Sequence, residues 1–161
     1  MSIKRGKKEA LKFVFYSSAI LAIDQFTKSL VYSTLTVGQT IPVLKNIFHI
    51  TFVRNTGAAF GLFKQGTHVF IGISIIAIIF IAGLILKAIR TGEFSARPLY
   101  SLSLTMIASG AMGNLIDRLR FGYVVDFIDV RVWPVFNFAD TFITIGTCLL
   151  IISLLKNQAH N

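Results

Sequence analysis

Residues 67–86 read THVFIGISIIAIIFIAGLIL, twenty residues without a charge, closed by Lys87 and Arg90. The hydrocarbon core of a bilayer takes about 20 apolar residues per helix, so this stretch predicts a membrane span. Pro98–Ile116 is a second uncharged run, and Pro98 suits the first turn of a helix. Two flanking runs carry acids. Residues 13–32 contain Asp24, and residues 136–155 contain Asp140. The reading is a mainly α membrane protein with four transmembrane helices, over spans 13–32, 67–86, 98–116 and 136–155. A cleaved leader is a poorer account of the first run, because Asp24 and Lys28 follow it without a small-residue cleavage pattern. The composition agrees. The 161 residues are 54% hydrophobic and 14% charged, with mean hydropathy +0.71, whereas soluble domains carry about 25% charge. Disorder is excluded for the bulk of the chain. The single cysteine, Cys148, excludes a disulfide scaffold. The length fits one polytopic domain, 1–161.

Net charge is +9. With four spans, Lys4, Arg5, Lys7, Lys8, Lys12, Lys87, Arg90, Arg97 and Lys156 fall on one side. Lys28, Lys45, Arg54, Lys64, Arg118, Arg120 and Arg131 fall on the other. The dense N-terminal cluster sets both termini in the cytoplasm. That cluster abuts a span, so membrane lipid rather than nucleic acid is its expected partner, at about 1 kcal/mol per basic residue. The acids separate more sharply. Glu9 and Glu93 lie inside, while Asp24, Asp117, Asp126, Asp129 and Asp140 all lie in the outer half. A charged Asp at mid-helix costs about 2.5–3.5 kcal/mol, so Asp24 and Asp140 should face the bundle interior or its boundary.

The outer segments, about 33–66 and 117–135, are too long for simple turns. In residues 47–53, Phe48, Ile50 and Phe52 alternate with His49 and Thr51, which is strand periodicity. Val124, Val125, Phe127, Ile128, Val130 and Val132 are β formers. A small β-sheet on the outer membrane face is expected, with Phe48, Phe52, Phe121, Tyr123 and Trp133 at the interface. Asn114, Asn137 and Asp140 all fall near that boundary.

Histidines 49, 68 and 160 are scattered, so a metal hydrolase is poorly supported, and Arg118 argues against a carboxylate-only magnesium site. Ser109 lacks a base, Lys28 does not face Ser29 on a helix, and Cys148 lies deep in the last span. An aspartate pair fits best, since two close carboxyls keep one proton between them. From the residues alone, Asp126 with Asp140 and Asp117 with Asp140 are almost equally good. Asp24 and Lys28, spaced i, i+4, read as a structural ion pair.

Five stretches carry a resemblance. They are Asp24-Gln25-Phe26-Thr27-Lys28, Arg54-Asn55-Thr56-Gly57-Ala58-Ala59-Phe60, Gly113-Asn114-Leu115-Ile116-Asp117-Arg118, Val124-Val125-Asp126-Phe127-Ile128 and Phe136-Asn137-Phe138-Ala139-Asp140. In this order the chain resembles the bacterial lipoprotein signal peptidases (signal peptidase II) over nearly its whole length. The resemblance implies an intramembrane aspartic endopeptidase of the bacterial inner membrane, without cofactor or metal and acting as a monomer. It implies Asp126 and Asp140 as the dyad. Asn55, Gly57, Asn114, Arg118 and Asn137 would line or support the site, and Asp24, Lys28 and Asp117 would hold it together. The implied substrate is a prolipoprotein with a diacylglyceryl cysteine, cut on the N-terminal side of that cysteine. The rivals are a small proton-coupled transporter using the intramembrane aspartates and a non-enzymatic assembly factor.

Overall fold

The architecture is organised around a helix that starts at Pro98. A proline sits well in the first turn, where its missing N–H is not needed, and helix α4 runs from Pro98 to Phe121. The computed structural model describes residues 3–57 and 67–158. Expectations resting on Lys64, on His160 and on Ala58, Ala59, Phe60 of the second motif lie outside the described residues.

In chain order, α1 covers Ile3–Thr34, β1 Thr40–Leu44, β2 Phe48–Asn55, α2 Thr67–Thr91, α3 Glu93–Ala96, then α4, β3 Val124–Asp129 and α5 Phe138–Gln158. Three helices are long and apolar enough to cross a membrane: α2, α4 and α5. Helix α1 has 32 residues, about 48 Å at 1.5 Å per residue, but Asp24, Gln25, Thr27 and Lys28 interrupt its apolar character. Helix α2 leaves Ile76, Ile79 and Phe80 exposed, a face with no use for water.

Helix α4 is the hub. It packs most extensively against α5, then α2, then α1, and it buries Ser101, Ser103, Thr105, Ser109, Asn114 and Asp117. Small residues permit this crowding. A Cβ added at Gly110 would stand 2.5 Å from the Ala139 carbonyl oxygen, and one at Gly113 would collide with the Asp24 carboxylate. The helix outlasts the uncharged run by five residues, so Asp117–Phe121 belong to α4 rather than to the outer segment at 117–135. Arg118 and Arg120 suit its C-terminal turn. Gly122, at φ 78°, ends it by donating its N–H to the Arg118 carbonyl at 3.0 Å.

The three strands form an antiparallel sheet in the order β1-β2-β3. Strand β3 stops at Asp129, short of the expected Val132. There the Asp129 carboxylate accepts the Arg131 N–H at 2.9 Å, and Arg131 takes φ 67°. The sheet docks on the C-terminal part of α1: Val31, and Leu35 just after the helix, pack with Phe52, Val125 and Phe127. Phe52 is therefore core, 2% exposed, and not an interfacial residue. Tyr32, Phe121 and Tyr123 form an aromatic stack beside it.

Candidate active site

Where β3 and the start of α5 meet α1 and α4, a continuous polar network fills the space between apolar clusters. It begins at Lys28. Its ammonium is 3% exposed and has three hydrogens. They meet Asp24 Oδ2 at 2.9 Å, Asp117 Oδ2 at 3.1 Å and Asn114 Oδ1 at 3.0 Å. An ammonium can only donate. The Asn114 oxygen must therefore face Lys28, which turns its NH2 toward Asp140 Oδ1, 2.7 Å away.

Asn137 continues the network. Its NH2 donates to Asp126 Oδ1 at 2.7 Å and to Asn114 Oδ1 at 3.2 Å. Its Oδ1 accepts the Asp140 N–H at 2.9 Å, and its own N–H donates to Asp140 Oδ2 at 3.3 Å. This reciprocal pair is a capping box at the start of α5. One asparagine thus touches both Asp126 and Asp140. On the other side Asn55 donates to Asp126 Oδ2 at 2.8 Å, and the Gly57 N–H donates to Asn55 Oδ1 at 3.0 Å, fixing the amide's orientation.

Each oxygen of the two carboxyls therefore receives an N–H, but among the described residues neither carboxyl has a cation in direct contact. Asp126 is 1% exposed. Burial, and next the nearby charge of Asp140, push its pKa up to about 7, against the donors Asn55 and Asn137 and the charge of Lys28. Asp129 shifts the other way. Burial raises it, but Thr51 and the Arg131 backbone and guanidinium together hold it below the ordinary carboxylate value.

Asp24 and Asp117 are used differently. Asp24 Oδ1 accepts the Ala139 N–H at 2.9 Å, so a side chain of α1 satisfies a free backbone donor at the start of α5. Asp117 Oδ2 also accepts the Val125 N–H at 3.1 Å, which ties α4 to β3. Asp117 is thereby engaged by Lys28, and of the two pairings open from the residues alone, Asp126 with Asp140 is the one that shares a bridging side chain. Arg118 makes no ion pair with Asp117. Its guanidinium lies over the Phe70 ring, 5.4 Å from the centroid, and its charge acts on Asp140, Asp126 and Asp117. A cavity of 390 Å³, walled by Val130, Trp133, Phe136, Thr144 and Ile145, has Asp140 and Thr141 in its lining.

The candidate residues Asp24, Lys28, Asn55, Gly57, Asn114, Asp117, Asp126, Asn137 and Asp140 thus form one connected network, with Arg118 acting on it through its field. Two kinds of participant were not foreseen. The backbone N–H groups of Val125 and Ala139 carry no signal in a sequence. Gln25 lies inside the first motif, but an uncharged amide beside an aspartate offers no spacing to read.

Comparison with known proteins gives a consistent answer. Residues 16–156 match the family model described as signal peptidase (SPase) II. A lipoprotein signal peptidase of Moorella thermoacetica is 46% identical over 145 residues, covering 90% of this chain and 93% of that one. One from Halothermothrix orenii is 42% identical, covering 86% and 92%. A solved bacterial membrane enzyme, determined by the in meso method at 2.3 Å, superposes with a TM-score of 0.83 at 32% identity, covering 93% of this chain and 91% of that one. A second, at 1.9 Å, gives 0.78 at 33% identity.

Proposed function

The chain belongs to the signal peptidase II family, an aspartic endopeptidase family that removes lipoprotein signal peptides, and we propose that Asp126 and Asp140 are its catalytic dyad. The single observation that carries this is Asn137, which bridges two carboxyls that, among the described residues, no cation contacts directly. Such a pair keeps one proton at neutral pH.

Asp126, with its pKa near 7, is the member that holds the proton. Asp140 is the base, because it sits in the first turn of α5, where the helix dipole favours an anion. Asp140 removes a proton from a water as the water attacks the scissile carbonyl. The Asp126 carboxyl donates a hydrogen bond to the carbonyl oxygen as charge develops there. Collapse of the tetrahedral intermediate breaks the C–N bond, and the proton held by Asp140 passes to the leaving amine. The cavity beside Asp140 supports an apolar substrate. We read that substrate as a prolipoprotein cut on the N-terminal side of its diacylglyceryl cysteine.

The membrane arrangement is part of the same proposal. Helix α1 is the fourth span, with Asp24, Gln25 and Lys28 turned to the network and not to lipid. The termini are cytoplasmic, and the dyad lies near the outer face of a bacterial inner membrane. We read the enzyme as acting as a monomer. The transporter reading loses ground because Asp24 and Lys28 are locked into fixed ion pairs.

The test is cleavage of a diacylglyceryl prolipoprotein by the purified protein. Asp126→Asn and Asp140→Asn should each lower kcat at least about a thousandfold, with the variants inserted and folded. Normal cleavage by either one overturns the dyad.

A further inference from the structure

We propose that Gln25 is a positioning residue for the peptidase reaction, because its side-chain amide joins Asp117 to Asp24, the carboxylate that holds the Ala139 N–H at the start of α5 and hence fixes the placement of Asp140. The proposal rests on Asp140 being catalytic.

Gln25 is the immediate neighbour of Asp24 on α1, and adjacent residues on a helix point about 100° apart. Its Nε2 nonetheless reaches Asp24 Oδ2 at 3.1 Å, Asp117 Oδ1 at 3.0 Å and the Gly113 carbonyl at 3.2 Å. The side chain is therefore folded back across the α1–α4 contact. The need for it follows from Lys28, whose three hydrogens are already assigned to Asp24 Oδ2, Asp117 Oδ2 and Asn114 Oδ1. Nothing remains for Asp117 Oδ1, and among the described residues Gln25 is the donor it receives.

The charged groups facing Gln25 are Asp24 and Lys28 from α1 and Asp117 from α4. Helix α5 enters through the Ala139 N–H held by Asp24 Oδ1. Ala139 immediately precedes Asp140. Removing the amide leaves Asp117 competing with Asp24 for Lys28, and loosens the carboxylate that anchors the turn carrying Asp140. Displacement of a reacting group by about 1 Å costs on the order of a hundredfold in rate.

The test compares Gln25→Met, of similar length but without a donor, with Gln25→Glu. Both are assayed for kcat and KM on a diacylglyceryl prolipoprotein across a pH series, with thermal unfolding in detergent measured alongside. Gln25→Met should lower kcat about ten- to a hundredfold with KM nearly unchanged. Gln25→Glu should recover activity at acid pH, where a neutral carboxyl can still donate to Asp117, and lose it as that carboxyl ionises. The parent protein should show no such acid recovery. Unchanged kcat in a folded Gln25→Met variant overturns the proposal, as does a lowered unfolding temperature with an unchanged kcat and pH profile. If Gln25→Met does not fold, Gln25→Glu decides: acid recovery sustains the proposal and a profile parallel to the parent's overturns it. Failure of the dyad itself is recognised separately, by normal cleavage in Asp140→Asn.

Discussion

Two carboxylate pairs meet at one end of this molecule, and they are built in opposite ways. Asp24 and Asp117 are each 1% exposed and share the ammonium of Lys28. Asp126 and Asp140 share a neutral asparagine. Burial disfavours charge in both pairs. In the first pair a cation meets both carboxylates, which also serve as fixed acceptors for the backbone N–H groups of Ala139 and Val125. In the second, neutral donors stand where the cation would, and burial pushes the Asp126 pKa up to about 7. On the proposed assignment, structural and chemical roles for the same residue type are separated by contact with one lysine. Asn114 joins the two pairs, with its oxygen on Lys28 and its NH2 on Asp140.

The contrast is tested most severely by removing the cation. Lys28→Met leaves two buried carboxylates facing each other, and breaking a buried ion pair by deleting one partner costs about 3–5 kcal/mol. We expect a large drop in unfolding temperature in detergent, partly reversed when Asp117→Asn is added to the same chain. A Lys28→Met protein as stable as the parent would mean that Asp24 and Asp117 share a proton as the dyad does, and the distinction would collapse.

The dyad should respond in the opposite sense. The folded pKa of Asp126 lies near 7, above the unfolded value of about 3.9. The folded state therefore binds this proton more tightly, and the contribution to stability is full below about pH 4 and lost as pH rises through 7. The slope is at most about 1.4 kcal/mol per pH unit in that window. Asp126→Asn should remove it. The variant should unfold at a higher temperature than the parent at neutral pH, while its catalysis is lost. Equal pH dependence in parent and variant would show that Asp126 is ionised throughout.

How much of this could be read from the chain depends on what carries each contact. The spans 67–86 and 98–116 were legible because charge is absent over a membrane's thickness, and α2 and α4 begin at the expected residues, Thr67 and Pro98. Strand β2 was visible from the alternation around Phe48, Ile50 and Phe52. Strand β1 was not: Thr40–Leu44 is a five-residue exposed edge containing Pro42, and such an edge has no buried face to impose a pattern. At the site, the acid residues drew attention, but from the residues alone Asp117 and Asp126 remained rival partners of Asp140, and only the resemblance favoured Asp126. What favours Asp126 in the proposed dyad is that Lys28 and the Val125 N–H engage Asp117, contacts between positions far apart in sequence. Phe52 was misjudged as interfacial because alternation shows which residues share a face, not which face meets α1.

The smallest effect lies on the same strand as Asp126. Three residues further on, Asp129 has a cationic partner, Arg131 at 3.1 Å, and accepts the Thr51 hydroxyl at 2.7 Å. Its pKa is lowered where that of Asp126 is raised. A depressed carboxyl contributes stability above its unfolded pKa and loses it as pH falls through the folded one. Thr51→Val removes one of the groups that hold it down. It should therefore cost about 1 kcal/mol at neutral pH, a difference that shrinks once acid has protonated Asp129. Cleavage should be unaffected, because neither residue bonds to Asp126 or Asp140. A loss of activity in Thr51→Val would show that the two aspartates of β3 are coupled, and that the division between paired and unpaired carboxylates does not also divide structure from chemistry.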